Sequence, residues 1–493
     1  MKHLRIVLGN QLFSPDLQGE ADLFFLREDA ELCTYFRFHK QKIILFLAAM
    51  RSFRDELQSY GRRVVYHELK ESKGSYEEAL VQLVKKEKVT KVSLFEVEDK
   101  FFEKRLLNCL EQLGLEIEIL PSPMFLCSRK EFSNYLKQSK RPFMKTFYQR
   151  ERIRQRVLLT KTGSPQGGKW SFDEENRKAL PKGLEVPKVP TFPQSINIQE
   201  VISDVEKVFK DHPGSSEDFW LPVDRKGAKL WLKDFLVHRF EKFGPYEDAL
   251  SREEPFLFHS VLTPFLNMGL LTPKEVVEAA LEFGEKKKIP MASLEGFVRQ
   301  IMGWREFIRG IYQNYSEEQE KKNFFGAKAR LRSCWYEGNT GIPPLDDVIS
   351  KVNRYAYSHH IERLMVVGSL MTLLQVKPSD AHRWFMEMYL DSSDWVMGPN
   401  VYGMALFSDG GIFATKPYIC GSNYYRKMGK YPTGEWVDEV DGLYWKFIDD
   451  HRSFFLKNPR LSMIVRTSEK MKSDRKTMLY SAAERVKKRL VIS

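Results

Sequence analysis

The sequence has few cysteines and no long apolar run. Its five cysteines, among 493 residues, are widely spaced and none forms a C-x-x-C pair, so they indicate neither a metal site nor a disulfide framework. The longest apolar run, residues 43–50, is too short to cross a bilayer, and the first residues lack the apolar core and cleavage site of a signal peptide. These absences predict a cytoplasmic protein in a reducing compartment, without a membrane partner.

The composition excludes an intrinsically disordered chain. Hydrophobic residues make up 42% of the sequence and aromatic residues 13%, which is too much for a solvated polymer. A length of 493 residues predicts two or three domains, each large enough to have its own core.

Positive charge is concentrated in the later part of the chain. The net charge is 78 − 66 = +12, but residues 1–130 contain 21 basic and 20 acidic residues and contribute only +1. Two stretches hold much of the excess: residues 132–170 have ten basic residues and one acid, and residues 416–493 have seventeen and nine. Charge alone leaves two interpretations open, a polyanion-binding surface and a solvated basic face.

Residues 1–130 alternate short apolar runs with amphipathic stretches. Strands are predicted at 4–9, 22–26, 63–69, 91–97 and 115–120, and helices at 39–61, 76–88 and 104–114. This alternation predicts an α/β domain with a parallel, Rossmann-like sheet. No G-x-G-x-x-G follows the first strand, so the usual dinucleotide fingerprint is absent.

The rest of the chain is predicted to form a connector and a helical domain. Residues 131–215 are assigned to a basic connector, because the pattern becomes rich in Pro, Gly and Lys from about residue 160. Residues 216–493 return to a helical period with almost no strand alternation, which predicts an all-α domain.

Polar and aromatic residues are interleaved within the predicted helices. The segments GWREFIRG (303–310) and YSHHIERLM (357–365) place charged side chains and histidines in otherwise apolar helices, and the Gly/Asp/Asn loop 391–411 interrupts the helical rhythm. Each segment alone is compatible with an exposed helix face or a structural hydrogen-bond network. Together they suggest a large polar-aromatic cofactor held between helices.

These motifs resemble a known superfamily. HSVLTPFLN (259–267), VRQIMGWREFIRG (298–310), HHIERLM (359–365) and the Asp-containing loop resemble, in order and spacing, the flavin-binding domain of the photolyase/cryptochrome superfamily. LGNQL (8–12), GGKWSFDEENR (167–177) and ATKPYICGSNYYRKM (414–428) resemble its bacterial photolyase-related branch, which includes (6-4) photolyases. The resemblance implies FAD as cofactor and UV-damaged DNA as partner of a monomeric enzyme.

The resemblance also implies positions for the FAD site. Tyr246, His259, Ser260 and Leu262 would meet the flavin phosphates, and Arg363 and Asp391 would face the isoalloxazine ring and pair with each other. The remaining residues that would line the cofactor are Trp304, Arg305, Met397, Asn400 and Met404.

His360 and its neighbour His359 are the catalytic candidates. His360 matches the histidine that (6-4) enzymes use as proton donor, and an imidazole can give and retake a proton near neutral pH. The alternative for His360 is a satisfied structural histidine. The lesion would be flipped out of the duplex and contacted by Tyr418 and Tyr424. Three cations would bind the DNA phosphates: Lys416, Arg426 and Lys427.

The sequence departs from the branch at the iron-sulfur site. Relatives usually hold a [4Fe-4S] cluster with four cysteines, but two of those positions are Pro344 and Pro432 here, and the other two fall in a shortened stretch, 433–442, without cysteine. An iron-sulfur cluster is therefore not expected, and Cys334 and Cys420 are interpreted as ordinary thiols.

Other departures concern the antenna, the flavin and the electron relay. Lumazine-binding relatives have acids where this chain has Asn10 and Leu32, although Gln11 and Tyr35 are retained, so a lumazine-type antenna is doubtful. Met397 takes the position that faces flavin N5. In the relay Trp384 is kept, but Phe385 and Tyr336 stand at neighbouring aromatic positions, with Trp335 beside the latter.

Three functions follow from these observations. The first is a light-driven (6-4) photolyase, in which an electron passes from excited reduced FAD to the flipped lesion and His360 donates the proton. The second is a cryptochrome-like sensor that binds FAD, and DNA, without repair. The third is a flavin-free helical scaffold that binds nucleic acid.

Overall fold

The computed structural model describes residues 2–71, 73–459 and 461–492. Its N-terminal part is built on a five-stranded parallel sheet in the order β3-β2-β1-β4-β5. The strands are β1 (His3–Ile6), β2 (Leu23–Arg27), β3 (Val64–His67), β4 (Lys91–Phe95) and β5 (Glu116–Leu120). Each of the five predicted strands is present, and the predicted parallel fold is confirmed.

Helices connect the strands as crossovers. The central strand β1 pairs with both β2 and β4, with Leu4 opposite Leu23 and Val92. Helices pack on both faces, so the inner strands have buried side chains on either side, as continuous apolar runs require. The helices of this part are α1 (Pro15–Gln18), α2 (Ala30–Thr34), α3 (Lys40–Ser59), α4 (Tyr76–Glu87) and α5 (Lys100–Gln112), with a 3₁₀ turn at Leu69–Glu71.

The segment predicted to be a connector contains regular structure. It includes α6 (Arg129–Lys137), α7 (Met144–Gln155) and α8 (Ile196–Val208), with 3₁₀ turns at Gln166–Gly168 and Asp173–Glu175. The expectation that regular pattern is lost throughout 160–215 is wrong at α8. That helix is capped by Ser195 and buries a short apolar stripe, Ile198, Val201 and Val205, against α3.

The C-terminal part is predominantly helical, as predicted. Its first helices are α9 (Arg225–His238), α10 (Phe240–Phe243), α11 (Thr263–Met268), α12 (Pro273–Lys287), α13 (Met291–Val298), α14 (Glu306–Lys321), α15 (Cys334–Glu337) and α16 (Pro343–Tyr355). The remaining helices are α17 (Ser369–Leu373), α18 (Pro378–Met388), α19 (Asp394–Gly398), α20 (Ser422–Gly429), α21 (Glu435–Asp450), α22 (Arg452–Lys457), α23 (Ser462–Glu469) and α24 (Ser473–Leu490). None of the described helices is long and apolar enough to span a membrane.

Three segments of this part have π-helical hydrogen bonding. They are Arg299–Arg305, Glu362–Gly368 and Pro399–Ala405. The π-helix is rare and concentrates at functional sites, because the wider turn changes the direction in which side chains point. Each of the three segments carries residues that the sequence assigns to the cofactor.

The C-terminus returns to the body of the protein as a strap, defined as α24 with β7 (Val491–Ile492). β7 pairs antiparallel with β6 (Arg330–Leu331), and the Trp335 indole Nε1 donates to the Leu490 carbonyl at 3.1 Å. Arg489 pairs with Glu439 on α21 and donates to the Thr340 carbonyl at 2.9 Å. The strap therefore joins segments from three parts of the helical domain.

Buried charges fasten the sheet to the helical domain. The Arg309 guanidinium on α14 donates to both carboxylate oxygens of Glu98, at 3.0 and 3.1 Å, and both side chains are 2% exposed. Glu306, in the same motif, contributes further: it accepts from the backbone N–H groups of Leu126 and Cys127 at 3.0 and 2.9 Å. Because these partners lie outside the helical domain, the motif 303–310 is in large part an inter-domain joint.

We expect Arg309→Met to lower the free energy of unfolding by about 3–5 kcal/mol, because Glu98 would remain buried without its partner. The midpoint of denaturant-induced unfolding measures the loss. The matched control is Arg475→Met, which breaks the exposed Arg475–Asp438 pair and should cost less than about 1 kcal/mol. Equal midpoints for the Arg309 and Arg475 variants would contradict the assignment.

Candidate active site

An ion pair between a half-buried arginine and a buried aspartate lies at the centre of the candidate site. Arg363, on the second π-helical segment, donates from its two terminal nitrogens to the two oxygens of Asp391, at 2.9 and 3.1 Å. Its Nε donates to the Ser358 carbonyl at 2.7 Å, and its guanidinium lies 4.0 Å from the centroid of the Tyr389 ring. The pair is thus fixed in orientation on all sides, and Asp391 keeps lone pairs that can accept a further hydrogen bond.

Two stacked histidines border this pair. The rings of His259 and His359 are parallel within 8°, with centroids 4.7 Å apart. His359 is fully buried, and His259 nearly so. Burial lowers the pKa of both imidazoles well below the usual value, so both are neutral at pH 7.

The stacked pair leaves polar atoms without partners. His259 Nε2, both ring nitrogens of His359, one oxygen of Glu362 and Nε of Arg239 are buried without a hydrogen bond to any described residue, although His359 Nε2 lies 3.5 Å from that oxygen of Glu362. Unpaired buried polar groups are costly and usually mark a bound water or ligand. Glu362, which is paired with Lys351, and Arg239, which donates to the His259 carbonyl, were not identified from the sequence.

His360 is placed differently from His359. Its side chain is accessible to solvent, whereas His359 is buried. Surrounding protein atoms nevertheless desolvate it, and together with the charge of Arg363 they lower its pKa to about 4. Of the two catalytic candidates, only the exposed His360 can meet an external substrate.

The turn before α11 brings in the predicted phosphate contacts. Leu257 and Val261 have φ of +46° and +54°, a left-handed conformation that costs a non-glycine residue about 1–3 kcal/mol and concentrates at binding sites. The turn is held by Trp231, whose Nε1 donates to the Ser260 carbonyl at 2.8 Å. Leu262 is buried, and Tyr246 packs against Phe258 with ring centroids 5.5 Å apart.

The first π-helical segment directs its two predicted cofactor residues to different neighbours. Trp304 packs against Phe413, with ring centroids 5.8 Å apart, in the same cluster as Met404. Arg305 lies between the rings of Phe125 and Trp395 and donates to the Met124 carbonyl at 2.6 Å. Only Nε of this buried guanidinium lacks a partner, so its contact with a cofactor stays a prediction.

The third π-helical segment and the helix before it supply the remaining wall. Met397 and Met404 are buried, and Asn400 is half-buried with its amide nitrogen donating to the Val396 carbonyl at 2.8 Å. A methionine at position 397 can neither donate nor effectively accept a proton.

An aromatic series leads from Arg363 into the helical domain. Tyr389 lies 5.8 Å from Trp384, and Trp384 lies 6.4 Å from Trp335, between ring centroids. The predicted relay residue Tyr336 is half-buried and directs its hydroxyl to Glu387 at 2.6 Å. Tyr389 was not assigned from the sequence; its position next to Arg363 is visible only in the fold.

The residues predicted to contact DNA lie on α20 and the loop before it. Arg426 and Lys427 are exposed, and Lys416, Tyr418 and Tyr424 are half-buried. Tyr425, between them, is buried and donates to the Met365 carbonyl at 2.8 Å. Met365 belongs to the segment that carries His360 and Arg363, so this surface is tied directly to the candidate site.

The family assignment is decided by sequence comparison. Residues 297–455 match the model of the FAD binding domain of DNA photolyase, and residues 5–221 match that of the deoxyribodipyrimidine photo-lyase-related protein. The chain is 33% identical over 492 residues to a (6-4) photolyase of Agrobacterium fabrum, covering 96% of this chain and 97% of the relative. The chain belongs to the photolyase-related family.

Further relatives agree with this photolyase-related assignment. A deoxyribodipyrimidine photo-lyase of Vibrio cholerae is 24% identical over 264 residues, 52% of this chain and of the relative. Two solved structures share the fold with a TM-score of 0.57: a class III photolyase from Agrobacterium tumefaciens, 18% identical and covering 99% of this chain and 98% of that one, and a cryptochrome of Synechocystis, 13% identical and covering 99% of both. The resemblance seen in the sequence is confirmed.

The residues of this photolyase-related chain fit a flavin nucleotide, which the matched domain binds. The buried polar atoms of His259, His359 and Arg239 that have no hydrogen bond provide polar and cationic groups beside the turn predicted to contact phosphate. Asp391 provides an acceptor beside them, and the aromatic and methionine walls provide apolar surface for a planar ring. When bound there, FAD would supply light-dependent electron donation.

A cavity lies at the carboxyl ends of the strands. It is lined by Asn10 and Tyr35, two of the three predicted antenna residues; Gln11 instead donates to the Glu96 carbonyl at 2.9 Å. The sequence did not identify its buried cation, Lys42, whose Nζ donates to Ser392 at 2.8 Å beside Asp391. Burial lowers the pKa of Lys42 to about 7, so the charge of this lysine changes near neutral pH.

The cysteines lie apart from one another in this photolyase-related chain. In the described residues no group of three or more His, Cys, Asp and Glu side chains is placed to hold a metal ion. Cys420 is buried beside Ser369, and Cys334 lies at the start of α15. The absence of cluster ligands stays a sequence-based prediction about iron-sulfur binding.

We expect Asp391→Asn to weaken FAD binding about ten- to a hundredfold, since the loss of a charged hydrogen-bond acceptor costs about 1.5–3 kcal/mol and leaves Arg363 unpaired. Titration of the purified protein with FAD, followed by visible absorbance, measures the affinity. Asp438→Asn, at an exposed ion pair, is the control and should bind FAD like the unmodified protein. Equal affinities in the Asp391 and Asp438 variants would remove Asp391 from the flavin site.

Proposed function

We propose that this protein is a light-driven, FAD-dependent DNA photolyase that repairs (6-4) photoproducts. The observation that carries the proposal is the position of His360, an exposed imidazole three residues before the Arg363–Asp391 pair. The 33% identity to a (6-4) photolyase over nearly the whole chain supports the same lesion.

We assign His360 the transfer of a proton to the lesion while the lesion holds an additional electron. A general acid must lie within hydrogen-bond reach of the atom it protonates, and His360 is accessible in a way that His359 is not. His359 is assigned a positioning role, because its ring stacks on His259 and fixes the backbone from which His360 projects.

The pKa of about 4 places a condition on this role. In the protein alone, His360 is almost entirely neutral at pH 7, and a neutral imidazole is a poor acid. Phosphate groups of a bound flavin nucleotide and of DNA are anions, and an opposite charge within 4–6 Å raises the pKa of a cation by about 1–3 units. We therefore infer that binding of these anions activates His360 as an acid.

The surface of α20 is assigned to the DNA around a flipped nucleotide. Tyr418 and Tyr424 are half-buried and supply aromatic faces on which bases can stack. Lys416, Arg426 and Lys427 supply phosphate contacts, which position the duplex without reading its sequence. Damage lowers the cost of flipping, because a distorted pair is already partly unstacked.

We expect illumination of the FAD-loaded protein to restore an oligonucleotide that carries one (6-4) photoproduct. His360→Ala should lower the repair rate at least a hundredfold and leave FAD binding intact, since general acids contribute about 10²–10⁴. Chromatography of the oligonucleotide after illumination measures repair. His238→Ala, at an exposed position on α9, is the matched control.

Two results would contradict this prediction. Repair by the His360 variant at the rate of the unmodified protein would remove His360 from the proton transfer. A flavin-loaded protein that binds the lesion but leaves it unchanged under light would instead support the cryptochrome-like sensor.

We also expect the repair rate to depend on pH in a defined direction. Because the imidazolium is the acid, the rate should fall as pH rises through the pKa of His360 in the complex, which lies above the value of about 4 found for the protein alone. Single-turnover repair at saturating DNA between pH 5.5 and 9 measures the profile. A rate that does not change over this range would exclude a titrating His360.

A further inference from the structure

The connector carries an exposed basic stretch whose position is fixed by the fold. Residues 176–183 contain Arg177, Lys178 and Lys182 and no acid. All three cations are exposed. Arg177 is paired with Asp173, whereas neither lysine forms an ion pair with any other described residue. Unpaired exposed lysines are common, so the argument depends on what holds this stretch and what it adjoins.

Hydrogen bonds anchor the start of the stretch to the helical domain. The Asn176 amide nitrogen donates to Glu247 at 2.6 Å, and the Phe172 backbone N–H donates to Glu295 at 2.9 Å. The Lys178 backbone N–H donates to the Pro245 carbonyl at 3.0 Å. The lysines therefore project from a backbone fixed next to Tyr246 and are not part of a free linker.

The stretch adjoins the surface assigned to DNA. Lys430, the residue that ends α20, donates from Nζ to the Leu180 carbonyl at 2.9 Å. Burial raises the pKa of Tyr418, the charge of Asp173 adds to the rise and that of Arg177 opposes it, so both charges lie within electrostatic range of this tyrosine. The two segments form one continuous surface.

Together the two segments are strongly basic. Residues 415–434 contain Lys416, Arg426, Lys427 and Lys430 without an acid, so with the three cations of 176–183 the surface has seven positive charges. Acids flank both segments: Asp173, Glu174, Glu175 and Glu185 lie on either side of the connector stretch, Glu435 follows the second segment, and Asp248 acts on Tyr418. Asp173 is neutralised by Arg299 and Arg177, and burial raises the pKa of Asp248 to about 6.

We propose that Lys178 and Lys182 bind the phosphate backbone of duplex DNA and extend the DNA surface from α20 onto the connector. The proposal rests on the DNA-repair function proposed above. Cations at fixed positions beside a stacking surface suit the backbone of a duplex held next to a flipped nucleotide, because each lysine can neutralise one phosphate. The connector would thereby add affinity that does not depend on sequence or on the lesion.

The test is the salt dependence of duplex binding by the FAD-loaded full chain. Neutralising two phosphate contacts should reduce the slope of log affinity against log salt by about 1.8. We expect Lys178→Gln/Lys182→Gln to show that change, so that raising salt from 50 to 200 mM weakens its binding about 12-fold less than it weakens the unmodified protein. Fluorescence anisotropy of a short undamaged duplex measures the affinity.

Matched variants separate the possible outcomes. Lys85→Gln/Lys86→Gln removes two exposed charges from α4 and should leave the slope unchanged. Lys416→Gln/Arg426→Gln should reduce it. A connector variant that binds like the unmodified protein, while the Lys416/Arg426 variant is weakened, overturns this inference alone. If the α4 variant changes the slope as much as the connector variant, net charge and not a local contact is responsible, and the inference is overturned.

Two other results bear on the proposed function. An unmodified protein that binds no duplex at low salt contradicts the repair proposal itself. The second result concerns vesicles that contain anionic lipid. If the unmodified protein binds them and the connector variant does not, while the variant still binds the duplex, these lysines belong to a lipid surface and the inference is overturned.

Discussion

The buried charges of one helical segment fix the position of the sheet domain relative to the helical domain. Arg305, Glu306 and Arg309 follow one another along the end of a π-helical segment and the start of α14, and all three bond to residues of the sheet domain or of the segment that follows it. Apolar packing alone would tolerate sliding between the layers, whereas directional bonds from buried charged groups do not. Trp304, which is predicted to line the cofactor, precedes these residues, so its position depends on the same joint.

The π-helical segments explain how one helical domain can surround a polar site. In a regular α-helix, residues three or four positions apart lie on the same face. A polar side chain on the buried face would therefore point in the same direction as the apolar side chains one turn away. An inserted wide turn shifts the face, so Arg363 can point to Asp391 while the next turns of the segment bury Val366 and Val367. The neutral histidine pair beside it is a consequence of the same crowding: desolvation favours two uncharged rings in contact over two cations.

The fold could be predicted from the sequence to a large extent, because strand and helix periods in the sheet domain are strong local signals. The helix α8 was missed since its apolar stripe is short and lies between Pro-rich stretches that have no period. The Arg363–Asp391 pair could be predicted from the family resemblance. The roles of Arg239, Glu362 and Lys42 were not, because each depends on a partner more than ten residues away that only the tertiary structure brings into contact. The connector surface was beyond sequence analysis for the same reason: nothing in residues 176–183 indicates that Lys430 lies beside them.

The strap at the C-terminus has a consequence for the order of folding. Trp335 is fully buried, and its indole is satisfied by the Leu490 carbonyl, 155 residues later in the chain. During synthesis the segment around β6 emerges long before that partner exists, and β6 gains its antiparallel neighbour only once residues 491–492 have been made. The packing around Trp335 is therefore completed late in folding, after most of the helical domain has been synthesised.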